Sequence, residues 1–263
     1  MLLKNNINNE FGIHAVNVNT DDFKDAKAPD QLRDEIPTLN RFGYMKKDLG
    51  EFCKDFIQYA LETKELVLEL GCAYGFVVQH VLAGNGKIVA SDLEEKHLSV
   101  LLKNTPQDKL ENLYLRQGRF PDEINFPKES FKAILSSRMF HFLEGKDIAV
   151  GFKKVHDWLK PNGKFFFTGV SPYNYTLRDN FLSTYQKRRE DKVEWPGEVR
   201  DFNSRAVAHQ EYLQNFIHTF DIPKLEELLP EYGFKIDKIK LFDYPNSIDS
   251  DNKGHIGFIA TKI

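Results

Sequence analysis

The sequence predicts an α/β protein built on a doubly wound, mostly parallel sheet. Three observations carry that expectation. Leu66 to Leu70 is a run of mostly branched residues with little alternation, as in a parallel strand buried on both faces. It ends on an acid and two glycines, Gly71 and Gly75, then passes into Phe76–Leu82, which has helical spacing. Apolar strands go on alternating with amphipathic stretches as far as Val170, and the chain closes on two strand-like runs joined by a short polar loop. So short a link cannot make a parallel crossover, so one of those two strands runs antiparallel to the rest.

Residues 1–45 read as an N-terminal arm, rich in Asn and Asp up to about residue 35 and ordered only where it packs on the body. Its last part, Arg41-Phe42-Gly43-Tyr44-Met45, is placed to overhang the glycine turn. Asp48 and Glu51 have the spacing of an acidic capping box, opening a helix with Phe52, Cys53, Phe56 and Ala60 on one face. After the glycine turn and its helix, Gly84-Asn85-Gly86 resets the chain, and Lys87–Asp92 is a second strand. Leu98, Leu101 and Leu102 mark the next helix, Leu113–Leu115 a third strand and Phe131–Ser137 a fourth. Ile148, Phe152, Val155 and Leu159 recur at helical spacing until Pro161-Asn162-Gly163 stops them, and Lys164–Val170 is the fifth strand.

The rhythm then breaks. About fifty residues separate the fifth strand from the next helix, where roughly 2–6 are usual. His209, Leu213, Phe216, Ile217 and Phe220 share one helical face in this stretch, which is also rich in aromatic residues. We read 172–220 as an inserted cap over the strand ends, and 46–171 with 221–263 as the core. Asp221 caps a helix through Leu225, Leu228 and Leu229 that closes at Gly233, and Phe234–Tyr244 and His255–Ile263 are the final hairpin.

Length and composition narrow the function. A chain of 263 residues can bury a full core, and 41% hydrophobic with 29% charged residues is ordinary for a soluble protein. With 36 basic against 39 acidic residues the net charge of −3 gives no general attraction to nucleic acid or an anionic membrane. Only Cys53 and Cys72 are present, too few for a disulfide framework or a four-cysteine zinc site and suited to a reducing compartment. The N-terminus turns polar at once and no apolar run approaches a membrane span, so a cytoplasmic location is expected.

The motif order points to a nucleotide site at the carboxyl ends of the strands. Asp92, twenty-one residues after Gly71, can accept both hydroxyls of a ribose and repels a 2′-phosphate. Ser91 and Glu94 are also in capping-box relation, so a purely structural role at a helix start competes with that reading. A dinucleotide turn needs G-x-G-x-x-G, but Ala73 and Phe76 stand at its second and third glycines. The P-loop lysine is missing too. Glu69 beside the glycines is a poor neighbour for phosphate and a good one for a cation.

At these residues the chain resembles the class I S-adenosylmethionine-dependent methyltransferases. Their D/E-x-G-x-G-x-G motif matches Glu69-Leu70-Gly71-Cys72-Ala73-Tyr74-Gly75 at every fixed position but one. Asp92 matches their ribose acid, Leu159–Lys164 resembles their L-K-P-G-G-K turn, and the final hairpin matches their seven-stranded sheet. The resemblance implies S-adenosyl-L-methionine as cofactor, with Glu69 to Gly75, Asp92 and Leu93, Gly118 to Phe120, and Ser137 and Arg138 around it. Three departures stand out. Ala73 replaces the middle glycine, tolerable if its backbone keeps a negative φ. Arg119 stands where many relatives carry an acid for the adenine amine, leaving that contact to the backbone or Phe120. Lys132 replaces an acid at the start of the fourth strand, on the solvent side.

Methyl transfer from a sulfonium chiefly needs alignment and exclusion of water, so catalytic side chains can be few. Tyr44 and Tyr74 are candidates for cation–π contact with the sulfonium, and Tyr173, Tyr175 and Trp195 of the insertion for contact with the acceptor. His141, after the fourth strand, could take a proton from a hydroxyl nucleophile, or could simply pack between Phe140 and Phe142. No N/D-P-P-Y segment follows that strand, which lowers DNA bases and protein glutamines as acceptors. His209, His218 and Asp221 do not converge on one helical face, so no metal is expected. Lys187-Arg188-Arg189 is basic, but residues 171–221 hold seven Lys/Arg against eight Asp/Glu, so no nucleic-acid partner is expected. The reading is transfer to a small-molecule acceptor under the insertion, with a protein acceptor or a non-catalytic cofactor-binding regulator as the alternatives.

Overall fold

A computed structural model describes residues 9–31, 35–205, 213–245 and 250–263. In chain order the elements are β1 (Ile13–His14), β2 (Glu35–Pro37), β3 (Tyr44–Lys46), α1 (Glu51–Thr63), β4 (Val67–Leu70), α2 (Phe76–Ala83), β5 (Ile88–Asp92), α3 (Glu95–Lys103), β6 (Leu113–Gln117) and β7 (Phe131–Ser137). There follow α4 (Gly145–Trp158), β8 (Leu159–Val170), α5 (Leu182–Glu190), β9 (Glu198–Val199), α6 (Phe202–Arg205), β10 (Ile217–His218), α7 (Ile222–Glu231), β11 (Phe234–Phe242) and β12 (His255–Lys262).

The main sheet has the order β1-β6-β5-β4-β7-β8-β12-β11. Strands β6 through β8 pair in parallel, and β12 runs antiparallel to both β8 and β11. The expected parallel core and terminal hairpin are both present. The sheet has eight strands, one more than expected, because Ile13–His14 of the arm adds antiparallel to β6. A two-residue strand leaves too little alternation to read from sequence. The arm also folds a small hairpin, β2 with β3, immediately ahead of α1.

Apolar residues of neighbouring positions divide between the two faces. Val67, Ile88, Leu113 and Ala133 pack with α1, α2 and α3, while Leu68, Val89 and Ile134 pack with α4 and α7. Strands buried on both faces explain why β4 and β5 read as continuous apolar runs. Phe56 of α1 meets Phe166 of β8 edge to face at 5.5 Å. Fully burying such a side chain contributes about 1.5–3 kcal/mol.

Three local expectations change. Helix α1 is capped by the backbone of Gly50, with no side-chain cap from Asp48. Tyr244 fills the space: a Cβ on Gly50 would lie 2.6 Å from its ring, and Glu51 turns away to Lys238 and Lys240, 2.5 Å from each. Strand β8 begins at Leu159 and runs through the Pro161-Asn162-Gly163 turn, Asn162 adopting φ 57°. In the insertion, Ile217–His218 is a strand paired with Glu198–Val199 where a helix was expected, and His209 lies outside the described residues. Leu177, Phe181, Tyr185, Val199, Phe202 and Ile217 form an apolar cluster of their own, so burial between paired segments overrides the helical spacing.

Candidate active site

The topological switch of the sheet lies at β4, which has β5 on one side and β7 on the other, and a cleft opens at the carboxyl ends of these strands. After Leu70 the chain turns on left-handed backbone: Gly71 has φ 75°, Ala73 φ 45° and Gly75 φ 76°. The amides of Gly71 and Cys72 donate to the carbonyl of Ser91 at 2.8 and 3.0 Å, and Gly75 donates to Cys72 at 2.8 Å before α2 begins. The negative φ expected for Ala73 is therefore not adopted. Its amide instead donates to Asp92 Oδ2 at 2.8 Å, which holds the residue in the strained region. A left-handed alanine costs about 1–2 kcal/mol, partly offset in a glycine by about 0.4–1 kcal/mol of extra unfolded-chain freedom. Ala73→Gly is expected to stabilise the protein by roughly 0.5 kcal/mol, read as a higher urea midpoint with an unchanged slope.

The flanking glycines serve packing more than ligand approach. A Cβ at Gly71 would lie 2.7 Å from Met139 Cγ, and one at Gly75 2.4 Å from Leu101 Cδ1.

Asp92, at the end of β5, is the most connected group of the cleft. Its Oδ1 accepts from the Glu94 amide at 2.8 Å and from His97 Nδ1 at 2.9 Å, and its main-chain carbonyl accepts from the Gly118 amide at 3.0 Å. The capping box of Ser91 with Glu94 does not form: Glu94 itself caps α3 by accepting from Lys96, and Ser91 Oγ has no partner. Glu69 is buried at the floor of the cleft with Oε2 unpartnered. Burial first, and the charge of Asp92 second, raise its pKa to about 8.

The cleft holds about 1210 Å³ with its open mouth included. Tyr44, Glu69, Gly71, Cys72, Ala73, Asp92, Leu93, Gly118, Arg119, Phe120, Ser137 and Arg138 all line it. Two of the expected residues do not. Gly75 is the N-cap of α2, and Tyr74 is buried with its hydroxyl donating to the carbonyl of Pro37 at 2.8 Å, fastening the arm. A tyrosine directed at the arm cannot face the donor.

The larger correction concerns what covers the cleft. Thr38, Asn40, Phe42, Tyr44, Met45 and Lys46 of the arm form that wall, as the position of Arg41–Met45 suggested, and no described residue of 172–220 lines it. Tyr173 and Tyr175 belong to the turn after β8, their amides donating to Ser171 Oγ and Ser250 Oγ. Trp195 packs on Gly145 at the start of α4 and stands edge-on to His218. Among its described residues, Leu213 of the insertion lies beside the arm: a Cβ on Gly43 would be 3.3 Å from its Cδ2. His141 is buried, edge-on to Phe142 at 4.2 Å, with Nδ1 unpartnered and its pKa held well below the usual value by burial. It too lies outside the lining. Among the described residues no group of three His, Cys, Asp or Glu could hold a metal ion.

Residues from distant parts of the chain complete the site without a local signal in the sequence. Cys53 of α1 approaches Ser137 Oγ at 3.4 Å, Ser137 is 3.1 Å from Thr168 Oγ1, and the Tyr244 hydroxyl donates to Thr168 at 3.3 Å. Burial pushes the Cys53 thiol up to about 11, so it stays protonated. Arg138, with φ 54°, donates to the carbonyl of Tyr44 at 2.5 Å and stacks over the Tyr244 ring at 5.4 Å.

An open sheet with a glycine turn and a carboxylate at the end of the second parallel strand is a Rossmann-like arrangement. Residues 67–163 match a family described as a methyltransferase domain. Among solved structures, a methyltransferase of Mesorhizobium loti described as S-adenosylmethionine-dependent superposes with TM-score 0.60 at 19% identity, over 81% of this chain and 99% of that one. One from Methanosarcina mazei gives 0.60 at 16%, over 82% and 99%. The glycopeptide N-methyltransferase MtfA, in complex with S-adenosylmethionine, gives 0.56 at 16%, over 80% and 86%. Of curated proteins, the mitochondrial arginine-hydroxylase NDUFAF5 is 27% identical in Rattus norvegicus and 26% in Homo sapiens, each over 130 residues, 49% of this chain. The matched stretch spans 36% of the rat protein and 35% of the human one. Residues 67–163 are thus similar to a methyltransferase domain, and the fold is the one these S-adenosylmethionine-dependent methyltransferases share.

Proposed function

We propose that the chain binds S-adenosyl-L-methionine in this cleft and passes its methyl group to a small-molecule acceptor. The observation that carries the reading is the Asp92 carboxylate, held by three N–H donors at the lining of the cleft. It is kept in place to accept the donor's ribose hydroxyls, while Leu93, Phe120 and Ile124 flank the adenine. In this reading the methionine end would be held on the β7 side, by Glu69, Ser137 and Arg138 of the lining. The unpartnered Glu69 Oε2 suits an ammonium group, which is the fit that the residues themselves offer. When bound, the donor supplies a methyl already activated on a sulfonium. The protein's part is to hold the two reactants in line and exclude water, an effect worth up to about 7–11 kcal/mol.

Beyond the methionine end, Phe42, Phe142, Leu143 and Tyr244 line an apolar and aromatic wall. That wall supports a small acceptor, and the cytoplasm is the compartment we assign, the thiols of Cys53 and Cys72 being free. Among the described residues no helix is long and apolar enough to cross a membrane. A protein acceptor is the alternative, and arginine, the word in the name of the NDUFAF5 relatives, is the first side chain to try. Labelled-methyl transfer into cell extract, separated by molecular size, tests the proposal. Label in the small-molecule fraction supports it, label in protein favours the alternative, and donor binding without transfer identifies a regulatory module.

Loss of a general base costs about 10²–10⁴-fold in rate. Since His141 lies outside the cleft lining, His141→Phe is expected to change the transfer rate by less than about threefold.

A further inference from the structure

We propose that His97 is a positioning residue that ties the acid at the end of β5 to the arm over the cleft, so that holding the donor's sugar and ordering the arm become one event. The inference rests on the reading of the cleft as the donor site. His97 sits in the first turn of α3 and is 1% exposed. Its Nδ1 lies 2.9 Å from Asp92 Oδ1, and its Nε2 accepts from the Leu39 amide at 3.0 Å. A backbone amide only donates, so Nε2 is the acceptor and the imidazole proton is on Nδ1, given to Asp92.

Two residues away, the carbonyl of Pro37 accepts from the Tyr74 hydroxyl, and the Tyr74 ring stands edge-on to His97 at 5.0 Å. Positions 37 and 39 are thereby fastened to the glycine turn and to α3. From the same stretch Thr38, Asn40 and Phe42 reach the cleft. The orientation of the Asp92 carboxylate and the seating of the arm thus depend on one imidazole. Coupling of this kind is reciprocal: if a seated arm favours the carboxylate orientation that accepts the sugar, a bound sugar favours the seated arm.

Hydrogen exchange of residues 35–46, with and without S-adenosylhomocysteine, tests the coupling together with calorimetry on His97→Leu and His97→Gln. In the wild type the ligand is expected to slow exchange over 35–46. In His97→Leu exchange should be fast with or without ligand, and the affinity should fall about tenfold, within the usual range for coupled sites. The glutamine variant can donate to Asp92 and accept from Leu39 through its amide, and should restore most of both effects. An imidazole Nδ1–H tautomer in nitrogen NMR spectra of the wild type supports the arrangement independently of any variant's folding, and an Nε2–H tautomer overturns it. Ligand-dependent protection of 35–46 that persists in His97→Leu, or a glutamine variant no better than leucine, overturns the coupling while leaving the donor site standing. A wild type that takes up no S-adenosylhomocysteine overturns the donor reading itself.

Discussion

Asp92→Ala is expected to weaken S-adenosylhomocysteine binding by at least about 100-fold, each hydrogen bond to a charged group contributing roughly 1.5–3 kcal/mol. The same change should lower stability by about 2–4 kcal/mol, because it leaves buried donors unsatisfied. The donors are the amides of Ala73 and Glu94 and the imidazole of His97, all within 2.9 Å of the carboxylate. Loss of the Ala73 contact also releases the left-handed turn that shapes the cleft. Asp92→Asn separates the two effects. An amide keeps the size of the side chain but accepts through one oxygen only, so binding should suffer more than folding. Calorimetry and urea denaturation on both variants measure the split. Binding by Asp92→Ala within about fivefold of the wild type would contradict a role for this acid at the sugar.

The second large effect is on pH dependence and belongs to Glu69. In the ligand-free fold its pKa is raised from 4.5 to about 8, by burial first and by the charge of Asp92 second. At pH 7 the group is mostly protonated. A cationic methionine end favours the ionised form, so binding at pH 7 should release close to one proton. Calorimetry in buffers of different ionisation enthalpy reads that number directly. Affinity should rise with pH until about 8 and then level off. Glu69→Gln should remove both the proton release and the pH dependence, and weaken binding by about 10–100-fold.

The stability sign follows from the same shift. The fold holds a proton on Glu69 that the unfolded chain gives up near its ordinary 4.5. This contribution is fully present below 4.5 and is lost as pH rises through about 8, so the ligand-free protein should become less stable across that range relative to Glu69→Gln.

The parallel core was legible because strands buried on both faces leave unbroken apolar runs, and Leu66–Leu70 and Ile88–Ala90 are such runs. The part of the cleft lining at the strand ends was legible because it is local: Glu69 to Ala73, Asp92 and Gly118 each sit at the end of a strand. The rest of the lining was not. Tyr244 reaches the cleft from the terminal hairpin and Cys53 from α1, joined through Ser137 and Thr168 by contacts that leave no mark in neighbouring residues. The length and aromatic content of residues 172–220 suggested a cover, but Phe181, Tyr185 and Phe202 are buried in a cluster of their own and Trp195 packs on α4. The wall comes instead from Thr38–Lys46, of which the sequence position of Arg41–Met45, just ahead of α1, had marked only the last part.

Titration of the wild-type protein with S-adenosylhomocysteine and, separately, with NADH bears most directly on the donor site. We expect one S-adenosylhomocysteine to bind per chain, with proton release at pH 7, and NADH to show no heat of binding. NADH binding in the absence of S-adenosylhomocysteine binding would contradict the assignment of the cleft.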